Sequence, residues 1–241
     1  MMKRALAAVQ FLTVIPVSGG VAATGEAAIF FPLVGVSLGA ISGGILLLAH
    51  AYLTRGIASL LSIAFLLIAT GCLHEDGLAD VADAIRAGRS REKMFAILKD
   101  SRIGTYGAVA LLVTVTLRWQ AGAVMQVNPV YGFAAALGVS RSALVIMAGT
   151  TPPAGEGLGR HFASAISRPV LAVVIGQACL VAFLAGWAYA LGIILSASTI
   201  IVTARTWFIK RLGGVNGDCL GTVCQVVETA NLVILTCRHS S

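Results

Sequence analysis

The chain predicts an all-α, polytopic integral membrane bundle of about seven transmembrane helices, with six to eight compatible with the pattern. Three observations predict it. Of 241 residues, 58% are hydrophobic and 11% are charged, where a soluble domain carries roughly a quarter charged residues; the mean hydropathy is +0.92. The apolar residues fall in blocks close to the ~20 that a helix needs to cross a bilayer. Lys and Arg gather between alternate blocks, as they do on the cytoplasmic side of membrane proteins.

Taken in order, MMKR leads into an interrupted segment, residues 5–17, that holds Pro16. It is expected to lie on the membrane or dip into it, and without a clear small-residue cleavage site it does not read as a cleavable signal peptide. The blocks then run 27–53, 56–73, 108–127 and 129–149. The 41 residues 169–209 exceed one helix and read as two spans joined by a tight turn near Trp187–Ala190. The last block, 222–236, is the shortest and contains Glu228.

With seven spans and a cytoplasmic N-terminus, 13 of the 17 basic residues face the cytoplasm: Lys3, Arg4, Arg86, Arg89, Arg91, Lys93, Lys99, Arg102, Arg160, Arg168, Arg205, Lys210 and Arg211. Arg55, Arg118 and Arg238 fall at the opposite ends, and Arg141 lies within a span. The net charge of +7 is therefore a topology signal and a source of phosphate affinity, and no nucleic-acid partner is expected. The five cysteines form no CxxC pair and have no neighbouring histidines at zinc spacing. The expected organisation is one membrane domain over 1–241, and the sequence leaves self-association into a homo-oligomer open.

Polarity concentrates in three segments on the predicted cytoplasmic side. The first, His74–Gly107, holds 6 of the 10 acidic residues: Glu75, Asp76, Asp80, Asp83, Glu92 and Asp100. Asp76, Asp80 and Asp83 stand at i, i+4 and i+7, on one helix face, where like charges repel. A hard cation neutralises such a face, and carboxylates without His or Cys favour Mg²⁺ or Mn²⁺. Glu75 sits about 100° round the same helix and reaches that face only from its edge. Further on, LKDSRIGTYG brings Lys99 and Arg102 near the acids, suited to phosphate oxygens. Asp100 is either another ligand or the partner of one of these cations. The second segment is PPAGEGLGRHFASAISRP, 152–169. The third, KRLGGVNGDCLG, 210–221, packs Gly213, Gly214, Gly217 and Asp218 together without the lysine of a phosphate-binding Walker loop; it is either a ligand contact or a turn. Inside the spans, Arg141 and Glu228 either pair with each other or leave Arg141 to reach a substrate phosphate. The chemistry these groups suit is phosphoryl or phosphodiester transfer at the membrane face.

The ordered set FLTVIPV (11–17), FFPLVG (30–35), HEDGLADVADA (74–84), KDSRIGTYG (99–107) and GGVNGDCLG (213–221) resembles the cobalamin synthase family, the adenosylcobinamide-GDP ribazoletransferases, across essentially the whole chain. One departure is Val14, where that family more often carries an arginine. The resemblance implies a Mg²⁺-dependent, multi-pass enzyme of the bacterial inner membrane with its active site facing the cytoplasm. It implies joining of adenosylcobinamide-GDP to α-ribazole or α-ribazole 5′-phosphate with release of GMP. On this reading Asp76, Asp80 and Asp83 hold Mg²⁺. Glu75 or Asp83 orients or deprotonates the attacking hydroxyl, Lys99 and Arg102 steady the leaving phosphate, and Asp100, Arg141, Gly213, Gly214, Gly217 and Asp218 contact substrate. Two rivals use the same features. A CDP-alcohol transferase shares an aspartate-rich Mg²⁺ site, but its D-x-x-D-G-x-x-A-R signature is broken here by Leu73 and by Leu78-Ala79-Asp80. A transporter would line a path with Arg141 and Glu228.

Overall fold

The structure is a computed structural model that describes residues 1–16, 25–87, 90–154 and 162–237. Arg89, Arg160, Arg238 and the middle of the second polar segment, 155–161, lie outside the described residues. Ten α-helices are named here: α1 (Met2–Leu12), α2 (Phe31–His50, entered through a 3₁₀ turn, Gly25–Phe30), α3 (Arg55–Thr70), α4 (Leu73–Ala87), α5 (Arg91–Leu98), α6 (Thr105–Val124), α7 (Pro129–Thr150), α8 (Arg168–Ala182), α9 (Trp187–Leu212) and α10 (Gly217–Ile234).

Local chemistry starts several of them. Thr54 caps α3 by accepting from the Ile57 amide at 3.4 Å, Asn128 caps α7 by accepting from Val130 at 2.9 Å, and Asn216 caps α10 by accepting from Cys219 at 3.0 Å; each satisfies an amide that the first turn leaves unpaired. Pro129 follows its cap at the first helical position, where its missing N–H costs nothing.

The centre of the bundle is α7, packed most closely against α2. Gly35, Gly39 and Gly43 recur every fourth residue on α2, and a Cβ on any of them would overlap the backbone of Leu137, Phe133 or Pro129. Such a stripe lets two membrane helices approach at backbone distance, where dispersion rather than water exclusion holds them.

Neighbouring helices alternate in direction. At one end Arg55 Nη2 donates to the Met125 carbonyl at 2.9 Å, Gln126 N donates to Leu235 O at 3.0 Å and Tyr189 Oη donates to Cys237 O at 2.9 Å. At the other, Ala154 N and Val215 O pair at 2.8 Å and Val215 N and Pro152 O at 2.9 Å. The second end gathers the N-termini of α6, α8 and α10 with the C-termini of α3, α7 and α9.

Five segments among the described residues are long and apolar enough to cross a membrane: Gly25–His50, Thr105–Val124, Pro129–Thr150, Arg168–Ala185 and Trp187–Leu212. There are six if α3 and α4, bent by 88°, count as one broken span. The polytopic all-α class therefore holds, and the count is five or six by this measure rather than seven. The C-terminal helix falls short because Gln225, Glu228 and Asn231 lower its apolar character, yet all three are buried against the other helices. It also begins at Gly217, ahead of the 222–236 block. The break inside 169–209 lies at Phe183–Gly186, before the expected Trp187–Ala190, because Gly186 takes φ +94° while Trp187 already starts the next helix.

Candidate active site

The acidic helix α4 lies against α6 and α10 at the end where the polar segments meet, and with five charged residues in its 15 it is not long and apolar enough to cross a membrane by itself. Its approach to α10 is set by Gly77. A Cβ there would stand 2.9 Å from both Cα and the carbonyl oxygen of Asp218, closer than a methyl group tolerates. Thr222 Oγ1 ties the crossing by donating to Gly77 O at 3.0 Å. The glycine thereby brings Asp218, from the far end of the sequence, to the aspartates of α4. Gly77→Ala is expected to lose about 1–3 kcal/mol of stability through overpacking, even though alanine gains about 1 kcal/mol in helix propensity. Unfolding in detergent measures the net loss, and a more stable variant would refute the close crossing.

The aspartates of α4 divide into two environments. Asp76 and Asp80 line a cleft of about 280 Å³ between α3, α4 and α6 that also meets Ser101 and Ile103. Asp76 and Asp218 line a second cleft of about 370 Å³ bordered by Phe11, His74, Leu144 and Phe162. Asp76 is common to both, so it stands in the wall between them. Asp83 lines neither. Its Oδ2 accepts from the Gly104 amide at 2.7 Å and its Oδ1 from the Gly107 amide at 2.9 Å, so this carboxylate satisfies the unpaired first turn of α6 and favours the positive end of that helix. Spacing alone grouped it with Asp76 and Asp80; the structure gives both of its oxygens backbone donors.

Burial, then the charges of Asp76, Asp218 and Asp83, push the Asp80 carboxyl up to about 6. No described Lys or Arg forms an ion pair with Asp76, Asp80 or Asp218. Asp218 accepts a hydrogen bond from Asn216 Nδ2 at 2.8 Å.

The second polar block resolves one alternative. Arg102 grips Asp100 with Nε at 3.0 Å and Nη2 at 2.7 Å, and that bidentate contact holds the Asp100 carboxyl down at about 2. The pair is at the surface, with Arg102 largely exposed, so it orders the loop more than it stabilises the fold. Lys99 ends α5 in solvent. The third block is divided similarly. Gly213 closes α9 and Gly214 packs onto the backbone of Pro152, which makes these two a turn, whereas Gly217 opens α10 on the wall of the larger cleft.

Glu75 lines the smaller cleft with Asp76 and Asp80 but is itself buried, and Arg141 lies deeper. Glu75 Oε1 accepts from Arg118 Nη1 at 2.7 Å and from Gln225 Nε2 at 2.8 Å. Arg118 Nη2 reaches Glu228 Oε1 at 3.3 Å, and Arg141 donates to Glu228 Oε2. Both arginines are within 2% of full burial. The two cations and two anions neutralise each other inside the bundle, tying α4, α6, α7 and α10 together. Arg141 is thus held by Glu228, the pairing alternative, and Glu75 anchors the first turn of α4. Arg118 does not sit at an opposite end as its charge suggested. Its position within the apolar block 108–127 was the signal for burial, the same signal that singled out Arg141.

Among the described residues no group of three or more His, Cys, Asp or Glu side chains stands close enough to enclose a metal ion by itself. The donor set nonetheless fits a hard cation: Asp76, Asp80 and Asp218 are oxygen-only acceptors, close enough for their charges to act on one another and without a cationic partner. Mg²⁺ is normally held by one or two carboxylates, with water and substrate phosphate completing its shell, so an incomplete protein shell is its usual setting.

The family described as "Cobalamin-5-phosphate synthase" matches residues 4–236. Proteins named adenosylcobinamide-GDP ribazoletransferase are similar over nearly the full length of both chains: that of Geotalea daltonii is 32% identical over 98% of this chain and 97% of its own. That of Acetivibrio thermocellus is 34% identical over 97% of each, and that of Bradyrhizobium diazoefficiens 35% over 94% of this chain and 90% of its own. No solved structure matches the chain.

Proposed function

The chain belongs to the cobalamin-5-phosphate synthase family, and from that premise we infer that it transfers the adenosylcobinamide phosphate moiety of adenosylcobinamide-GDP to α-ribazole or α-ribazole 5′-phosphate. GMP is released, and adenosylcobalamin or its 5′-phosphate is formed. The observation that carries the reading is the match along essentially the whole chain, 4–236. The meeting of Asp76, Asp80 and Asp218 beside two clefts at one end of the bundle supports it.

The reaction forms a bond between a free ring hydroxyl of the ribazole's ribose, since the 5′ oxygen already carries phosphate in α-ribazole 5′-phosphate, and the phosphorus on the cobinamide side, and breaks the bond from that phosphorus to the oxygen of GMP. We assign Asp76 and Asp80 as the carboxylates that would hold Mg²⁺, with Asp218 adding negative charge beside them; the cation when bound would offset the charge of the pyrophosphate. The chain's own residues do the rest. Gly217 and its neighbouring amides open α10 toward the larger cleft, a helix end suited to phosphate oxygens. Lys99 lies free in solvent to meet the departing phosphate, and Arg102 joins it when it exchanges Asp100 for phosphate. Asp83 positions α6, and Glu75, with Arg141 behind Glu228, fixes the depth of α4. Asp76, which lines both clefts, is the carboxylate we assign nearest the attacking hydroxyl, in place of Glu75 or Asp83.

In this reading the helices α2, α3, α6, α7, α8, α9 and α10 all cross the bacterial inner membrane, α3 and α10 being the two that length or composition leaves short. The aspartate end faces the cytoplasm, where Lys3, Arg4, Arg86, Arg91 and Lys99 cluster. The whole chain acts as one catalytic unit whose partners are two small molecules and the bilayer. Nucleic acid has no part in it, and copies of the chain are free to associate.

The test uses protein purified in detergent with adenosylcobinamide-GDP, α-ribazole and Mg²⁺, following GMP and the corrinoid product by chromatography. Product that depends on Mg²⁺ is expected; none with either form of ribazole would refute the substrate assignment. The raised Asp80 carboxyl adds a pH signature. Because the proton competes with the cation for Asp80, the Mg²⁺ concentration giving half the maximal rate should rise about tenfold per pH unit below about 6. A Mg²⁺ requirement unchanged between pH 7 and 5 would remove Asp80 from the metal site.

A further inference from the structure

We infer that the larger cleft, between α1, α4, α7 and α10, receives the aromatic base of the ribazole, and that Phe11 is the residue that selects it. This rests on the transfer reading above. The cleft has a reacting end and a binding end. Asp76, Asp218 and Gly217 occupy the first; the second is walled by Phe11, Leu73, Leu144, Phe162 and Leu220, with Gln10 and His74 as its polar side chains.

Its aromatic wall is built in advance. Phe11, Phe31 and Phe162 stack on one another, with ring centroids 5.4 Å apart for Phe11 and Phe31, 5.5 Å for Phe11 and Phe162 and 5.2 Å for Phe31 and Phe162. Phe31 and Phe162 are buried, and Phe11 is the partly open ring of the three. A stack whose inner members are fixed by packing presents its outer ring in one orientation, so a planar ligand meets a surface that needs little further ordering.

The chemistry of the cleft discriminates among the parts of the two substrates. The benzimidazole of α-ribazole is flat, carries two methyl groups and has one free ring nitrogen as its polar atom, which suits apolar walls. His74, on the same lining, has a buried Nε2 with no hydrogen-bond partner, one polar group for the one free ring nitrogen of the benzimidazole; guanine, with two donors and an acceptor on its edge, asks for more partners than this, and any left unpaired are costly to bury. The corrin ring with its side chains is too large for about 370 Å³. Placement agrees with the reaction as well. Asp76 separates this cleft from the smaller one beside Ser101 and Ile103, so the attacking ribazole and the departing nucleotide have separate approaches to the same carboxylate.

Steady-state kinetics in detergent test the assignment with Phe11→Leu and with Leu73→Trp, another residue of the same lining. Leu73 is 45% exposed, so the second change narrows the cleft without disturbing the core. Phe11→Leu should raise the KM for α-ribazole about tenfold through loss of ring stacking, and Leu73→Trp should raise it by a similar factor. The KM for adenosylcobinamide-GDP should stay within about twofold of the parent in both. The parent should also favour α-ribazole over its unmethylated benzimidazole analogue by about tenfold or more, a preference that shrinks in Phe11→Leu. Folded variants whose ribazole KM is unchanged, or in which both KM values rise together, overturn the subsite while leaving the transfer intact. A rise confined to adenosylcobinamide-GDP overturns it in favour of the nucleotide. A parent that uses neither ribazole form refutes the transfer reading itself, a result separable from all of these.

Discussion

Replacing Asp80 by Asn is expected to lower the rate of transfer by about a thousandfold with the bundle still folded. The substitution keeps shape and removes charge. Asp80 is only partly buried and makes no hydrogen bond or ion pair with a described residue, so its loss leaves no orphaned partner in the protein. An aspartate that helps hold a catalytic cation contributes several kcal/mol to the reaction, and each 1.36 kcal/mol is a factor of about ten in rate. Relief of like-charge repulsion from Asp76 and Asp218 should leave the variant at least as stable as the parent. The measurement is GMP release at saturating substrates alongside thermal unfolding in detergent. Loss of activity with an unchanged or raised unfolding temperature ties the chemistry to this carboxylate. A folded Asp80→Asn protein with parental rate would show that the aspartates of α4 serve some other purpose.

The largest effect on stability is expected from Arg118→Met, at about 3–5 kcal/mol, the usual consequence of removing one member of a buried ion pair. Arg118 bridges Glu75 and Glu228, and without it two buried carboxylates share Arg141 alone. Glu75 then loses the contact that fixes the first turn of α4, and Asp76, the next residue, loses its place between the clefts. The double variant Glu75→Gln with Arg118→Met should recover part of the lost stability because it removes the stranded charge. Thermal or denaturant unfolding in detergent measures both. A single variant as stable as the parent would mean that the buried charges are hydrated rather than paired.

These expectations show how differently parts of the site could be read. Asp76 and Asp80 declared themselves by spacing, since a helix puts i and i+4 on one face wherever it lies. Asp83 shares that face and was grouped with them for the same reason; only the arrival of α6, with amides of Gly104 and Gly107 seeking acceptors, separates its task from theirs. Asp218 was visible merely as an acid in a glycine-rich segment. Its neighbours in space, Asp76, Gly77 and Asp80, lie in the first half of the chain, and the contact depends on Gly77 having no side chain. Arg118 was misplaced because a charge near the end of an apolar block reads equally well as interfacial or as buried until its counter-ions are known.

The amino-acid sequence by itself determined the all-α membrane class, most of the helix positions, the family and the acidic centre, because hydropathy, helical periodicity and ordered motifs are properties of local stretches of chain. The tertiary structure alone decided which acids keep open oxygens, which charges cancel inside the bundle, and where a cleft with an aromatic wall opens beside Asp76. The physical reason is that an ionisable group takes its role from the groups that pack against it. In this protein those groups come from α1, α6, α7 and α10, brought to α4 by helix packing that no local pattern encodes.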